Sequence, residues 1–315
     1  MKILVGTLAL NNIGITEAWL RSLYKNTIVP DDCEIDVLVV DNGSDESITG
    51  MVRRVSKDAV FDTYGIRNPK NIGVAPGWNQ ILTFQHRLEP IMEEGSMGDE
   101  YTYPNFTYDY YVISNNDIWF GHNWLKPLVD TMQSDPIVGW TSCMQNGNDE
   151  FQMTKEAHEF LGSHRQDPHG KPNYDRVSMM MDAIYDRWGG FDQFCKTFQE
   201  LDKEPYHVGH SATCFMVNPA MIRDLGYFNE YAAPIGIHED HEYWERMDSQ
   251  LLNPSLDITQ PTGWEYRGVN DSMVHHHVCF TRKGPGFGDG MDYEIQREKN
   301  WRKMTGKTLF GLPGE

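Results

Sequence analysis

The chain has 315 residues, 39% hydrophobic and 12% aromatic, enough to bury a large core in one domain with or without insertions, and its composition is not that of a disordered segment. Its 27 Lys and Arg against 46 Asp and Glu give a formal charge of -19, the wrong sign for gripping nucleic acid by phosphate neutralisation over a broad face. Five scattered cysteines without a CxxC pair, no apolar run near the ~18 to 20 residues of a membrane span, and a start without a signal-peptide pattern together predict a reduced, soluble, cytoplasmic protein.

Ile3 to Leu10 is a compact apolar run bounded by Asn11, Asn12 and Gly14, which predicts a strand buried on both faces with its carboxyl end toward a site. Thr16 is the expected N-cap of a helix burying Trp19, Leu20 and Leu23, with Glu17 near the positive end of its dipole. A second apolar strand, Ile35 to Val40, runs into the turn sequence Asp41-Asn-Gly-Ser-Asp45, and Ile48, Met51, Val52 and Val55 then recur at helical spacing. This β-α-β-α rhythm predicts a parallel sheet.

Arg67 to Asn79 reads as a loop entering a helix, since Trp78, Ile81, Leu82 and Leu88 follow helical spacing, and its glycines allow backbone to approach a ligand closely. Met92 to Thr107 carries no periodic signal and reads as an insertion. Tyr110 to Ile113 then forms a short buried strand that delivers Asn115, Asn116 and Asp117 together at its carboxyl end. A helix from Asn123, burying Trp124, Leu128 and Met132, and a strand from Ile137 to Cys143 close this half of the chain.

Period is lost over 146–205, where we expect a helical or irregular insertion. It returns with a strand-like run from Gly209 to Val217, a short helix from Ala220 to Leu225 ended by Gly226, and a helix opening at the acidic pair Glu239 and Asp240. His275, His276 and His277 precede Thr281, Arg282 and Lys283 in a loop rich in Gly and Pro, and the charged tail from Tyr293 is expected to be helical.

Val39-Val-Asp-Asn-Gly-Ser44, Asn71-x-Gly73 with Asn79, Ser114-Asn-Asn-Asp117, Leu225-Gly-Tyr-Phe-Asn-Glu230, Glu239-Asp-x-Glu-x-x-x-Arg246 and the late histidines follow one another as in the family 2 glycosyltransferases of GT-A fold, which the chain resembles over about 1–145 and 206–285. The resemblance implies an α/β fold, Rossmann-like, with a mostly parallel central sheet flanked by helices and an insertion on the acceptor side. It divides the chain into a nucleotide-sugar-binding half over 1–145, the insertion over 146–205, an acceptor half of the same domain over 206–285 and a helical tail over 286–315. It also implies a nucleotide-diphosphate sugar as donor, a divalent Mn or Mg ion, and transfer of a hexose or pentose with inversion.

A sugar diphosphate leaving group gains negative charge as the glycosidic bond breaks, and Mg and Mn take oxygen ligands while keeping waters, so one or two carboxylates suffice to hold them there. Asp117 is the first candidate ligand; the family's Asp-x-Asp is here Asn115-Asn116-Asp117, with a neutral residue in first place. A capping carboxylate after a strand is the structural alternative. His277, or His275 on the same strand face, is the candidate imidazole ligand. Thr7 and Leu8 are placed by backbone, and Asp41, Asn71, Gly73 and Asn79 by side chain or loop, around the nucleotide, although Asp41 alone also makes a strong Asx turn and Asn79 alone a polar helix face. Arg282 and Lys283 are candidates to clamp diphosphate oxygens.

Transfer needs a base on the side of the sugar opposite the leaving group. Asp240 is the first choice and Glu239 the alternative, since adjacent carboxylates in a partly buried turn raise one another's pKa; two acids in a helix first turn also simply favour its dipole. Arg246, about two turns along, reads as a structural partner. The acceptor hydroxyl is left open among glycan, lipid-linked glycan, protein and the hydroxymethylated DNA bases modified by phage enzymes. Two other classes stay in view. A noncatalytic sugar-nucleotide or glycan-binding module has no use for a base, and a nucleotidyltransferase calls for a basic, Gly-rich loop where Leu8 to Gly14 has one glycine and no Lys or Arg.

Overall fold

A computed structural model describes residues 1–11, 13–84, 106–145, 174–209, 211–230, 239–248 and 263–277. Its first strand, β1 (Lys2–Ala9), is followed by α1 (Ile13–Asn26), β2 (Glu34–Asp41), α2 (Thr49–Val55), β3 (Asp62–Arg67), α3 (Val74–Leu82), β4 (Tyr110–Asn115), β5 (Ile118–Phe120), α4 (Leu125–Ser134) and β6 (Val138–Gln145). After a stretch outside the described residues come α5 (Tyr174–Tyr185), α6 (Phe191–Gln199), β7 (Tyr206–Val208), β8 (Cys214–Val217), α7 (Pro219–Leu225), α8 (Glu239–Asp248) and β9 (Glu265–His276).

The strands make one sheet in the order β3-β2-β1-β4-β8-β6-β9-β5, with β7 added on β9. β3, β2, β1 and β4 are mutually parallel, β8 runs against both β4 and β6, and β6 pairs with β9 in parallel. The apolar runs of β1, β2 and β4 follow from this placement: each is an inner strand covered on both faces, so none alternates with polar residues. On one face Val5, Val37, Val39, Val112 and Met216 pack beneath α1, α2 and α4, with Trp19 and Trp124 fully buried. On the other, Leu4, Leu38, Tyr111, Trp140 and Phe215 pack beneath α3, α7 and α8. Together these make a sheet with a layer of helices on each side.

Chain order runs outward from β1 to β2 to β3, then returns to the other flank of β1 at β4. Neighbouring connections therefore diverge at the carboxyl ends of β1 and β4, where Thr7 pairs with Ser114 and Leu8 with Asn115. In open α/β sheets this switch point is where a crevice opens and ligands bind.

Several local expectations are corrected. The first helix already starts at Ile13, so Thr16 lies inside it, buried, with its Oγ1 accepting from Asn116 Nδ2 at 3.0 Å rather than capping. Asn123 holds φ 53° and the helix after it opens at Leu125. β3 has no counterpart in the apolar pattern, because as an edge strand it is only partly buried and its positions need not be apolar. Leu88, most of the 92–107 stretch, the first part of the 146–205 stretch, Thr281, Arg282, Lys283 and the tail lie outside the described residues. Among the described residues no helix is long and apolar enough to cross a membrane.

Candidate active site

The turn after β2 is held by its own carboxylate. Asp41 is fully buried; Oδ1 accepts from Ser44 N at 2.9 Å and Oδ2 from Ile48 N at 3.1 Å, with Arg67 Nη1 3.7 Å away. It thus closes an Asx turn and satisfies a backbone donor at the start of α2. Next to it, Asn42 donates to Asn71 Oδ1 (2.9 Å) and to the Gly73 carbonyl (3.2 Å), while its own Oδ1 accepts from Asn68 Nδ2 and Ile72 N, both at 3.1 Å. Gly43 stands at φ 81°, and a Cβ on it would collide with the backbone of Lys70 and Asn71. The Asn71-x-Gly73 loop is therefore drawn onto the Asp41 turn by amides and by close backbone approach. Gly73, at φ 96°, precedes α3 in a conformation that favours glycine.

Thr7 contributes Oγ1 to the Ser114 carbonyl at 2.9 Å, tying the ends of β1 and β4 together, and Leu8 packs on Gly77 of α3. Asn79 is buried: it donates to the Phe228 carbonyl and Glu230 Oε1, both at 2.9 Å, and accepts from Phe228 N at 3.0 Å. It is not a solvent-facing amide but a clamp on the segment after α7. α8 holds the same segment from the other side. Arg246, 5% exposed, donates to the Leu225 and Tyr227 carbonyls at 2.6 and 3.0 Å and pairs with Glu242 at 2.8 Å, while Tyr243 donates to the Gly226 carbonyl at 2.9 Å. Burial raises the Glu242 carboxyl pKa, against the pull of Arg246. Glu239 and Asp240 open this anchored helix, Glu239 buried and Asp240 half-buried.

At the carboxyl end of β4, Asn116 turns inward to Thr16, whereas Asn115 and Asp117 face β9. Antiparallel pairing sets Ile118 opposite His276 and Trp119 opposite His275, and His277 N donates to the Asp117 carbonyl at 2.8 Å. His276 Nε2 then lies 3.3 Å from Asp117 Oδ1 and 3.5 Å from Asn115 Nδ2. Burial alone would raise the Asp117 pKa, but the His276 and His277 imidazoles beside it outweigh that and hold the carboxyl below its ordinary value. His277 is 2% exposed, and burial pushes its imidazole down to about 4, against the pull of Asp117. His275 points elsewhere: its Nδ1 shares a hydrogen bond of 2.8 Å with the Tyr185 hydroxyl of α5. The structure thus joins Asp117 with His276 and His277 and turns His275 away, and the neighbour that sequence reasoning passed over is His276. Strand alternation sets His275 and His276 on opposite faces, but only the pairing of β5 with β9 shows which of them meets Asp117.

Asp117 Oδ1 and His276 Nε2, 3.3 Å apart, are the two side-chain donors this place could offer to a divalent ion. Among the described residues no group of three or more His, Cys, Asp or Glu is arranged to hold a metal ion.

No family model matches the chain, and no curated protein sequence does. Among solved structures, the mannosyltransferase PcManGT from Pyrobaculum calidifontis, in complex with GDP-Man and Mn2+, superposes over 98% of this chain with a TM-score of 0.51 and 15% identity. The fold is of the GT-A type. GalNAc-T7 with UDP, GalNAc and Mn2+ aligns over 87% of the chain at 11% identity and a TM-score of 0.48, and S. aureus TarS over 88% at 13% and 0.47. The GT-A-type chain described here spans 65% of the mannosyltransferase, 43% of GalNAc-T7 and 36% of TarS.

Proposed function

We propose that this chain is a glycosyltransferase that moves a sugar, with inversion, from a nucleotide diphosphate to an acceptor hydroxyl. The observation that carries the reading is the meeting of Asp117 with His276 and His277 at the switch point of a GT-A-type sheet. Asp117 with His276 or His277 would hold manganese or magnesium, and the imidazole favours manganese because magnesium takes oxygen ligands almost alone. The chemistry such an ion supplies when bound is neutralisation of charge on the departing diphosphate.

The chain's own residues do the rest. The Asp41 turn and the loop it holds shape a rigid wall for the nucleotide, with backbone of Thr7 and Leu8 as its floor. Asp240, at the start of a helix fixed by Arg246 and Tyr243, accepts the proton of the acceptor hydroxyl as its oxygen bonds to the anomeric carbon and the carbon–phosphate oxygen bond breaks. Glu239 is the alternative base. Arg282 and Lys283 would clamp the diphosphate. The donor sugar is a hexose or pentose, and the acceptor is a glycan, lipid-linked glycan, protein or modified DNA base; the acidic charge weighs against the last.

A thermal-shift panel of UDP-, GDP-, TDP- and CMP-sugars with and without Mn2+ tests the reading. One nucleotide sugar should raise the midpoint in a Mn2+-dependent way, and no response to any of them would overturn it. Asp240→Asn should keep that shift and lower transfer by about 10²- to 10⁴-fold, the usual contribution of a positioned base.

A further inference from the structure

α5 and α6 have no part in the donor site as drawn so far, yet they pack against it from behind. Val177, Met181, Tyr185, Phe191, Phe194 and Cys195 form a third core with Ile15 and Ala18 of α1, Trp119 of β5 and Met273 of β9. His275 enters this core fully buried, edge-on to the Tyr185 ring at 5.6 Å and the Phe191 ring at 6.2 Å. Its Nδ1 and the Tyr185 hydroxyl, 90 residues apart in sequence, are hydrogen-bonded at 2.8 Å. Its ring also lies 4.8 Å from that of His277, whose N–H donates to the Asp117 carbonyl.

We propose that Tyr185 is a positioning residue for the Asp117 site: its hydroxyl holds the ring plane of His275, and through the ring contact the seat of His277 beside Asp117. The inference rests on the reading of Asp117 and its neighbouring imidazoles as metal-holding. A buried tyrosine hydroxyl needs a polar partner, and its hydrogen bond to Nδ1 holds the imidazole in one orientation whichever of the two atoms donates. His277 stands one residue past the end of the β9 ladder, so strand pairing does not by itself set its ring, and the packed His275 ring does. Groups that orient a metal's ligands change affinity nearly as surely as the ligands do.

Tyr185→Phe keeps the ring and removes the hydroxyl. In Mn2+ titrations followed by electron paramagnetic resonance, the variant should bind Mn2+ roughly tenfold more weakly than the wild type. Trp188→Phe, which trims the same core, should lower stability and leave Mn2+ affinity unchanged; equal weakening by both variants would reduce Tyr185 to packing and overturn the proposal. Tyr185→Phe with wild-type affinity, while Asp117→Ala loses it, overturns the proposal and leaves the metal reading standing. Absence of Mn2+ binding to the wild type overturns both. If Tyr185→Phe does not fold, His275→Gln, which removes the ring contact to His277, decides: Mn2+ binding roughly tenfold weaker than wild type supports the proposal and wild-type affinity refutes it.

Discussion

Asp41 and Asp117 follow the two strands that flank β1, at the same edge of the sheet, and both are buried to within 2% of full. What surrounds them differs. The oxygens of Asp41 accept backbone N–H groups of its own turn, from Ser44 and Ile48. Asp117 has imidazoles for neighbours, His276 through its side chain and His277 through backbone and field. A carboxylate tied to backbone donors can only be removed at the expense of the fold. One set among side chains that gain and lose protons and share lone pairs can exchange partners. We read the first as framework and the second as the proposed place for chemistry, although both stand at the carboxyl ends of the strands that flank β1.

The sharpest way to break the comparison is Asp41→Ala. Two buried backbone donors lose their acceptor, at roughly 1–3 kcal/mol each, so a loss of about 3 kcal/mol is expected in urea unfolding monitored by tryptophan fluorescence. A loss under about 1 kcal/mol would place Asp41 with Asp117 instead. Asp117→Ala comes next. The metal-dependent part of donor stabilisation should fall by about 10- to 100-fold in affinity, or ~1.4–2.7 kcal/mol, by Mn2+ titration with the nucleotide sugar present. Stability of the chain without added metal should change less than in Asp41→Ala, because the carboxylate is paired with the His276 side chain, which is 15% exposed and can turn to water, whereas the Asp41 oxygens hold two buried backbone N–H groups. A collapse of that stability would make Asp117 framework too.

His276→Gln refines the second half of the contrast. Glutamine keeps a polar tip of similar reach but no imidazole nitrogen, and about tenfold weaker Mn2+ binding is expected, measured against His277→Gln. A larger loss in His277→Gln would assign the ligand to the buried imidazole and leave His276 as its ion-pair neighbour.

The first half of the fold could be read from the chain because inner parallel strands and their covering helices impose long apolar runs and 3.6-residue stripes. β3 escaped, being an edge strand with little to bury, and β9 escaped because Arg267, Asn270 and Asp271 break its pattern while finding partners in the folded chain. Asp117 was legible as the polar end of an apolar strand. The parity of the histidines was not, since it depends on the pairing of β5 with β9 across about 150 residues, which no local pattern encodes. Asn79 and Arg246 illustrate the same limit: helix spacing shows their face, but only the segment 225–230 shows what they hold.

The smallest effect tests why Asp41 can be buried at all. Arg67 Nη1 stands 3.7 Å from its carboxylate and Nη2 donates to the Ser44 carbonyl at 2.7 Å, but the Arg67 side chain is 39% exposed. Water screens a pair at that exposure, so the cation contributes on the order of 0–1 kcal/mol. If the turn's own N–H groups hold the charge, Arg67→Met costs no more than about 1 kcal/mol in the same urea titration, a third of the cost of Asp41→Ala. If instead the two variants cost the same, the carboxylate depends on a solvent-facing cation, its attachment to the turn is conditional, and a nucleotide reaching Arg67 would loosen the wall it binds.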